Sequence, residues 1–215
     1  SQEEIDNSPK QTYGEYRVGD IRYQDINGDG VIDSQDEVAL GYTNMPEIVY
    51  GFGATAQWKN WDFNVFFQGV AHTSFFLAGA SLRSPFSSGS MERSAVNEDI
   101  YGNVWMSTNT PEQNDRAIYP RLSLSNQAGS SNNNQTSDWW LRDGSFLRLK
   151  NFEIGYTLPK KLLGKNFIRS LRFYVAANNL LTFCNFKLWD PEKGSSDGSG
   201  YPLNRVVTLG FNINL

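Results

Sequence analysis

The chain has 215 residues, of which 39% are hydrophobic, 14% aromatic and 20% charged, and its formal net charge is −4 from 19 basic and 23 acidic side chains. That balance excludes a disordered polyelectrolyte and leaves no basic surface for nucleic acid. One cysteine, Cys184, excludes an internal disulfide framework, and one histidine, His72, argues against a multi-His metal site or a His-based triad.

No run of 18 apolar residues exists, so no transmembrane helix is predicted. A transmembrane strand needs only about 9–11 residues with every second one apolar, and such strands leave overall hydropathy low. The start, Ser1-Gln2-Glu3-Glu4, has neither an initiator Met nor a signal peptide. The expectation is a processed chain or a piece of a longer one, as a proteolytic nick in an exposed loop would leave.

Residues 1–47 read as a polar loop region, with one short strand expected around Gly19 to Tyr23. Within it, Asp25 to Asp36 fits a twelve-residue calcium loop. Asp25, Asn27, Asp29, Asp33 and Asp36 supply side-chain oxygens at positions 1, 3, 5, 9 and 12. Gly30 falls where such a loop must turn sharply, Val31 would offer its backbone carbonyl, and Ile32 would pack inward. Hard oxygen donors at this spacing suit Ca²⁺ in a structural role. Asp36 replaces the usual Glu, and the flanks look extended rather than helical. The competing reading is an Asx-rich turn with solvated acids.

From Ile48 the text alternates with period two. Tyr50, Phe52, Ala54, Ala56 and Trp58 share one parity, and after Lys59-Asn60 so do Trp61, Phe63, Val65 and Phe67. This predicts a hairpin of strands 48–58 and 61–71. Residues 72–145 are rich in Ser, Asn and Gly and read as a long loop, with a short helix expected within Glu92 to Trp105. A third strand, 146–158, carries Phe152, Ile154 and Tyr156 on one parity but Leu147 and Leu149 on the other. That switch predicts a β-bulge near Lys150. Strands 170–181 and 205–215 follow, separated by a polar loop at 182–204.

The connections alternate short, long, short, long. An outer-membrane barrel has that asymmetry, whereas a β-sandwich has no reason for it. Trp58, Trp61 and Tyr156 cluster at the short turns, where an interface belt would lie. Five strands cannot close a barrel, and open edges in lipid cost several kcal/mol per unpaired group. The barrel reading therefore expects the remaining strands from elsewhere. The rival is a secreted, calcium-stapled β-sandwich that binds glycans or a cell surface.

Several segments together resemble SusC/RagA-type TonB-linked outer-membrane transporters. They are Gly19-Asp20-Ile21-Arg22-Tyr23-Gln24 running into Asp25–Gly30, Tyr50-Gly51-Phe52, Trp61-Asp62-Phe63, and Phe66-Phe67-Gln68-Gly69. Asp143 to Asn151, Gly155 to Pro159, Ala177-Asn178-Asn179-Leu180, and Tyr201-Pro202-Leu203 with the terminal strand complete the series. The resemblance implies about five C-terminal strands of an antiparallel barrel of about 22. It implies a plug and TonB box outside this sequence, a SusD-like surface lipoprotein as lid, and import of oligosaccharides or peptides. The C-terminus would be periplasmic, and the loops at 72–145 and 182–204 and the Asp25–Asp36 loop extracellular. Leu215 stands where such barrels favour a terminal Phe.

Trp139, Trp140 and Trp189 lie in the outer loops and are candidate substrate or lid contacts, against the alternative of loop packing. Arg148 and Lys150 face either outer-leaflet phosphates or, turned by the bulge, the lumen. Asn64, Gln68, Glu153, Arg172 and Asn178 are expected to line the lumen. Cys184 and His72 show no partner in sequence. Glu92, Glu98 and Asp99 lack the spacing of a catalytic carboxylate pair, so no enzyme is expected.

Overall fold

The structure is a computed structural model that describes residues 1–78, 98–123, 131–164, 167–194 and 196–215. The chain forms two compact units. One comprises 1–41, 76–142 and 195–199, and the other 42–75, 143–194 and 200–215. The elements, in chain order, are α1 (Gln2–Asp6), β1 (Lys10–Gln11), β2 (Val31–Ile32), β3 (Ile48–Trp58), β4 (Trp61–Ala71), β5 (Ser74–Phe76), α2 (Pro111–Asp115), β6 (Leu141–Asp143), β7 (Phe146–Thr157), α3 (Lys160–Leu163), β8 (Ser170–Cys184) and β9 (Val206–Asn214).

The second unit is built on one antiparallel sheet in the order β3-β4-β7-β8-β9. Among the described residues, β3 and β9 each pair on one side only. The turn at Lys59-Asn60 is two residues long and places Lys59 at φ +56°, a conformation that costs a non-glycine residue about 1 kcal/mol. The ammonium of Lys59 lies 4.6 Å from the Trp58 ring, and Asn60 ties the turn to β7 by donating Nδ2–H to the Thr157 carbonyl at 2.7 Å. Pro159 follows the end of β7, since it has no N–H for the ladder.

Register sorts the side chains into two faces. Phe67 pairs with Leu149 while Phe66 pairs with Asn151, which leaves Lys150 as an extra residue. The expected bulge is therefore present. It brings Leu147 and Leu149 onto the same face as Phe152, Ile154 and Tyr156, despite their opposite parity. One register row on this apolar face is aromatic on all five strands: Trp58, Trp61, Tyr156, Phe173 and Phe211. Most of the face is open. Phe52 is 54% exposed, Leu209 79% and Phe211 63%. A sandwich core would be covered, so the sandwich expectation is corrected.

The first unit has its own core, formed by Ile21, Ile32, Leu77, Ile100, Val104, Tyr119 and Trp140. The strand expected at Gly19 to Tyr23 does not form. Side chains replace the ladder there. The Ile21 amide donates to Asn133 Oδ1 at 2.9 Å, and the Ile21 carbonyl accepts from Asn132 Nδ2 at 2.8 Å and Gln11 Nε2 at 3.2 Å. The Tyr23 amide donates to Gln11 Oε1 at 2.6 Å. Buried backbone groups must be paired, and here amide side chains do it. The helix expected within Glu92 to Trp105 falls partly outside the described residues, and the described part, 98–105, is turn and bridge.

Candidate functional site

The polar face of the sheet collects the residues expected to line a lumen. Asn64, Gln68, Glu153, Arg172 and Asn178 all lie on it by register. Arg172 organises its lower part, near the short turns. Its guanidinium takes Asp62 through both oxygens, with Nε at 2.9 Å from Oδ2, and reaches Glu153 Oε1 at 2.5 Å. Three strands are thereby joined. The group lies across Gly155, where a Cβ would come within 2.3 Å of Arg172 Nη2. A side chain at this position would have to push the guanidinium aside. Tyr174 flanks the guanidinium, its ring centroid 5.2 Å away.

Arg148 and Lys150 stand at the other end of β7, also on the polar side. Arg148 is only 2% exposed and contacts Asp190, with Glu192 Oε2 at 3.1 Å from its Nε. Lys150 Nζ lies 3.0 Å from Glu192 Oε1. These acids belong to the loop after β8. Both side chains therefore sit on the polar face of the sheet, paired with acids of the same unit, and not on its apolar face.

The Asp25–Asp36 loop is a chain of Asx turns. Asp25 accepts from the Gly28 and Gly30 amides at 2.6 and 2.8 Å, one to each oxygen. Asn27 accepts from the Asp29 amide at 2.8 Å, Asp29 from the Val31 amide at 2.8 Å, and Asp33 from the Gln35 amide at 2.8 Å. Asp36 closes the loop, accepting from the Ile26 amide at 2.7 Å and the Asp33 amide at 2.9 Å. These bonds hold the Asp36 carboxyl below its ordinary pKa, the Asp33 amide contributing most and then that of Ile26. Gly30 sits at φ +85°, as the sharp turn requires, and Ile32 is fully buried. Among the described residues no three acidic, His or Cys side chains converge closely enough to hold a metal. The oxygens of this donor set are hard, but Asp36 Oδ1 accepts from both the Ile26 and Asn27 amides, at 2.7 and 3.3 Å, so the loop as folded spends them on its own backbone.

The three tryptophans part company. Trp140 is fully buried, donates Nε1–H to the Asn133 carbonyl at 2.8 Å and has no ring face open to a ligand. Trp139 is 39% exposed. Trp189 is half-buried, with ring centroids of Phe186 at 4.8 Å and Phe75 at 6.4 Å. Cys184 and His72 do have partners, contrary to the sequence reading. Cys184 Sγ lies 3.0 Å from the Phe186 carbonyl, while His72 stacks on Tyr42 and places Nδ1 3.2 Å from Glu47 Oε2. Asp99 accepts from the Tyr119 hydroxyl at 2.6 Å. Asp62, Asp190 and Glu192 were not singled out from sequence. For Asp62 a signal existed, since it is the second residue past the turn and shares the parity of Asn64 and Gln68.

No protein-family model matches the chain. Individual relatives do. Two TonB-dependent receptors of Formosa agariphila are 32% and 30% identical over 99% and 93% of this chain. The TonB-dependent receptor SusC of Bacteroides thetaiotaomicron is 25% identical over 89% of it. The chain spans about a fifth of these relatives' length, 21%, 19% and 17% respectively. Among solved structures, the RagAB peptide importer in its open-open state superposes with a TM-score of 0.62 at 24% identity, over 95% of this chain and 21% of that one. The five-stranded sheet is thus a run of barrel strands, and the similar proteins are receptors and transporters, not enzymes. In sequence and in fold, the chain is similar to about a fifth of the length of SusC/RagA-type TonB-dependent receptors.

Proposed function

We propose that the chain is the C-terminal part of a TonB-dependent outer-membrane importer, contributing barrel wall and outer loops. The observation that carries this reading is an apolar face continuous across five strands and wide open on its outer strands β3 and β9, backed by an opposite face of amides and paired charges. The apolar face meets lipid and the polar face the lumen. The unpaired sides of β3 and β9 call for further strands, because unpaired backbone groups in lipid cost several kcal/mol each. Those strands, a plug and a TonB-contacting segment belong to the rest of the protein, and a SusD-like lipoprotein covers the mouth. The cargo is an oligosaccharide or a peptide. Similarity to SusC and to a structure described as a peptide importer supports the class without choosing between them. The loops at 72–145 and 182–204 lie outside the cell, and the C-terminus in the periplasm.

The test is to fractionate membranes, extract them in mild detergent and size the particle that carries this sequence. A detergent-bound particle several times larger than the chain, in which a lipoprotein copurifies, is expected. A species that stays in the aqueous phase at its own mass overturns the reading.

We also propose that the Asp25–Asp36 loop binds Ca²⁺ as a staple through Asp25, Asn27, Asp29, Asp33, Asp36 and the Val31 carbonyl. The register of oxygen donors and the positive φ of Gly30 support it. Binding requires side chains to leave their present amide partners and converge. Calorimetric titration of chelator-treated protein with Ca²⁺ is expected to give one site that Asp25→Asn weakens at least tenfold. No heat of binding at millimolar Ca²⁺ would leave the loop an Asx-turn network alone.

A further inference from the structure

The polar face holds one charge that lining does not explain. Arg148 pairs across the ladder with Gln68 and Thr182 and is nearly completely buried. A lumen-facing arginine in water has no reason to lose its hydration, and burying it is costly unless it is paired. The cover is the segment 185–194, which leaves β8 and bends back over the polar face. Asp190 contacts the guanidinium, and the same carboxylate caps the short helical turn Pro191–Lys193 by accepting from the Glu192 amide at 3.0 Å. Glu192 is shared between Arg148 and Lys150. The two cations and two anions balance. Phe186 and Trp189 anchor the same segment on Phe75, with Phe75 and Phe186 edge to face at 5.0 Å. Lys187 Nζ donates to the Cys184 carbonyl at 2.6 Å, fixing the chain where it leaves the strand.

We propose that residues 185–194 form a fixed constriction folded inward over the lumenal face, latched by Arg148, that limits the size of solutes reaching the barrel wall below it. The inference rests on the polar face being lumenal. Arg148 acts as a positioning residue through the loop, and Lys150 contributes a second, more exposed tie.

The test uses the full-length transporter purified in detergent, with a reporter thiol at Asn178→Cys, an exposed position further down the same face. Labelling rates are measured with a small hydrophilic maleimide and with a polymer-linked maleimide of several kilodaltons. With Arg148 present, the large reagent is expected to react much more slowly than the small one. Arg148→Met keeps the bulk and removes both ion pairs. It is expected to raise the large reagent's rate by about tenfold, the scale of a conformer released by loss of a buried pair, and to leave the small reagent's rate unchanged. Lys150→Gln, at a half-exposed position, is expected to give a smaller rise of about two- to threefold, and it keeps the test valid if Arg148→Met fails to assemble. A large-reagent rate that stays within twofold in both Arg148→Met and Lys150→Gln overturns the latch. An Asn178→Cys thiol that the small reagent cannot reach, while Leu209→Cys is reached, overturns the lumenal reading instead.

Discussion

At the scale of single residues, the buried groups of the first unit carry a consequence that surface chemistry does not. Tyr119 is 2% exposed and its hydroxyl donates to Asp99. Burial, and then the Asp99 hydrogen bond, push its pKa well above the usual phenol range. The neutral form is the one the fold holds. Its contribution is therefore complete below about pH 10, where the unfolded tyrosine is also neutral, and is lost as pH rises through the range in which only the unfolded state ionises. Denaturant unfolding followed between pH 8 and pH 12 is expected to show stability falling above about pH 10, with Tyr119→Phe flattening that slope. An unchanged slope in the variant would mean that Tyr119 ionises as freely folded as unfolded. Gly155 offers a second residue-scale check. Gly155→Ala places a methyl group against the Arg172 guanidinium, which must move off Asp62 and Glu153. These groups are partly exposed, so solvent screening limits the loss to about 1 kcal/mol. Urea titration of the refolded barrel in lipid reads it. A loss equal to that of a glycine in β3 far from any charge would show that Gly155 serves the strand and not the cluster.

At the scale of elements, the sheet was legible in the sequence because period-two alternation is imposed by one physical fact, that successive side chains leave opposite faces. The strands at 48–58 and 61–71 have the bounds that alternation predicts, and β8 runs three residues beyond its expected end, to Cys184. The parity switch between Leu149 and Phe152 marks the bulge, because one extra residue is what reverses the alternation. What alternation cannot reach is the first unit. Gln11, Asn132 and Asn133 sit in polar stretches that read as solvent-exposed loop, yet they are 4%, 0% and 3% exposed. Their burial depends on partners more than a hundred residues away, as in the bond from Gln11 Nε2 to Asn132 Oδ1 at 3.0 Å. The Arg148 latch was illegible for the same reason, since Asp190 and Glu192 lie some forty residues on and no local period marks them. The bulge itself is testable. Deleting Lys150 restores simple parity and drives Leu147 and Leu149 to the polar face and Arg148 to the apolar one. The expected outcome is no heat-modifiable folded barrel in the outer membrane, whereas Lys150→Gly, which keeps the extra residue, still assembles. Equal assembly of both would mean that β7 tolerates either register.

At the scale of the whole molecule, the question is which solvent each face of the sheet meets, and exposure alone does not answer it. Leu209 and Thr208 are neighbours on β9 and both are exposed, but they point to opposite faces, Leu209 beside Val175 and Thr208 beside Ala176. In water their replacement by arginine would differ little, because a surface leucine gains from a polar substitution as readily as a threonine does. In a bilayer the two diverge. Arginine on the lipid face near the midplane costs about 2–4 kcal/mol, and on the lumenal face it meets water at a cost below about 1 kcal/mol. Leu209 lies two residues along β9 from Phe211, in the aromatic row by the short turns, and so stands away from that interface. Leu209→Arg is therefore expected to destabilise the barrel by about 2–3 kcal/mol and Thr208→Arg by less than about 1 kcal/mol, read as the difference in urea midpoint between vesicle-inserted variants. Equal losses would place both side chains in the same solvent, and a larger loss at Thr208 would invert the two faces and, with them, the proposed lumenal position of Arg172 and Arg148.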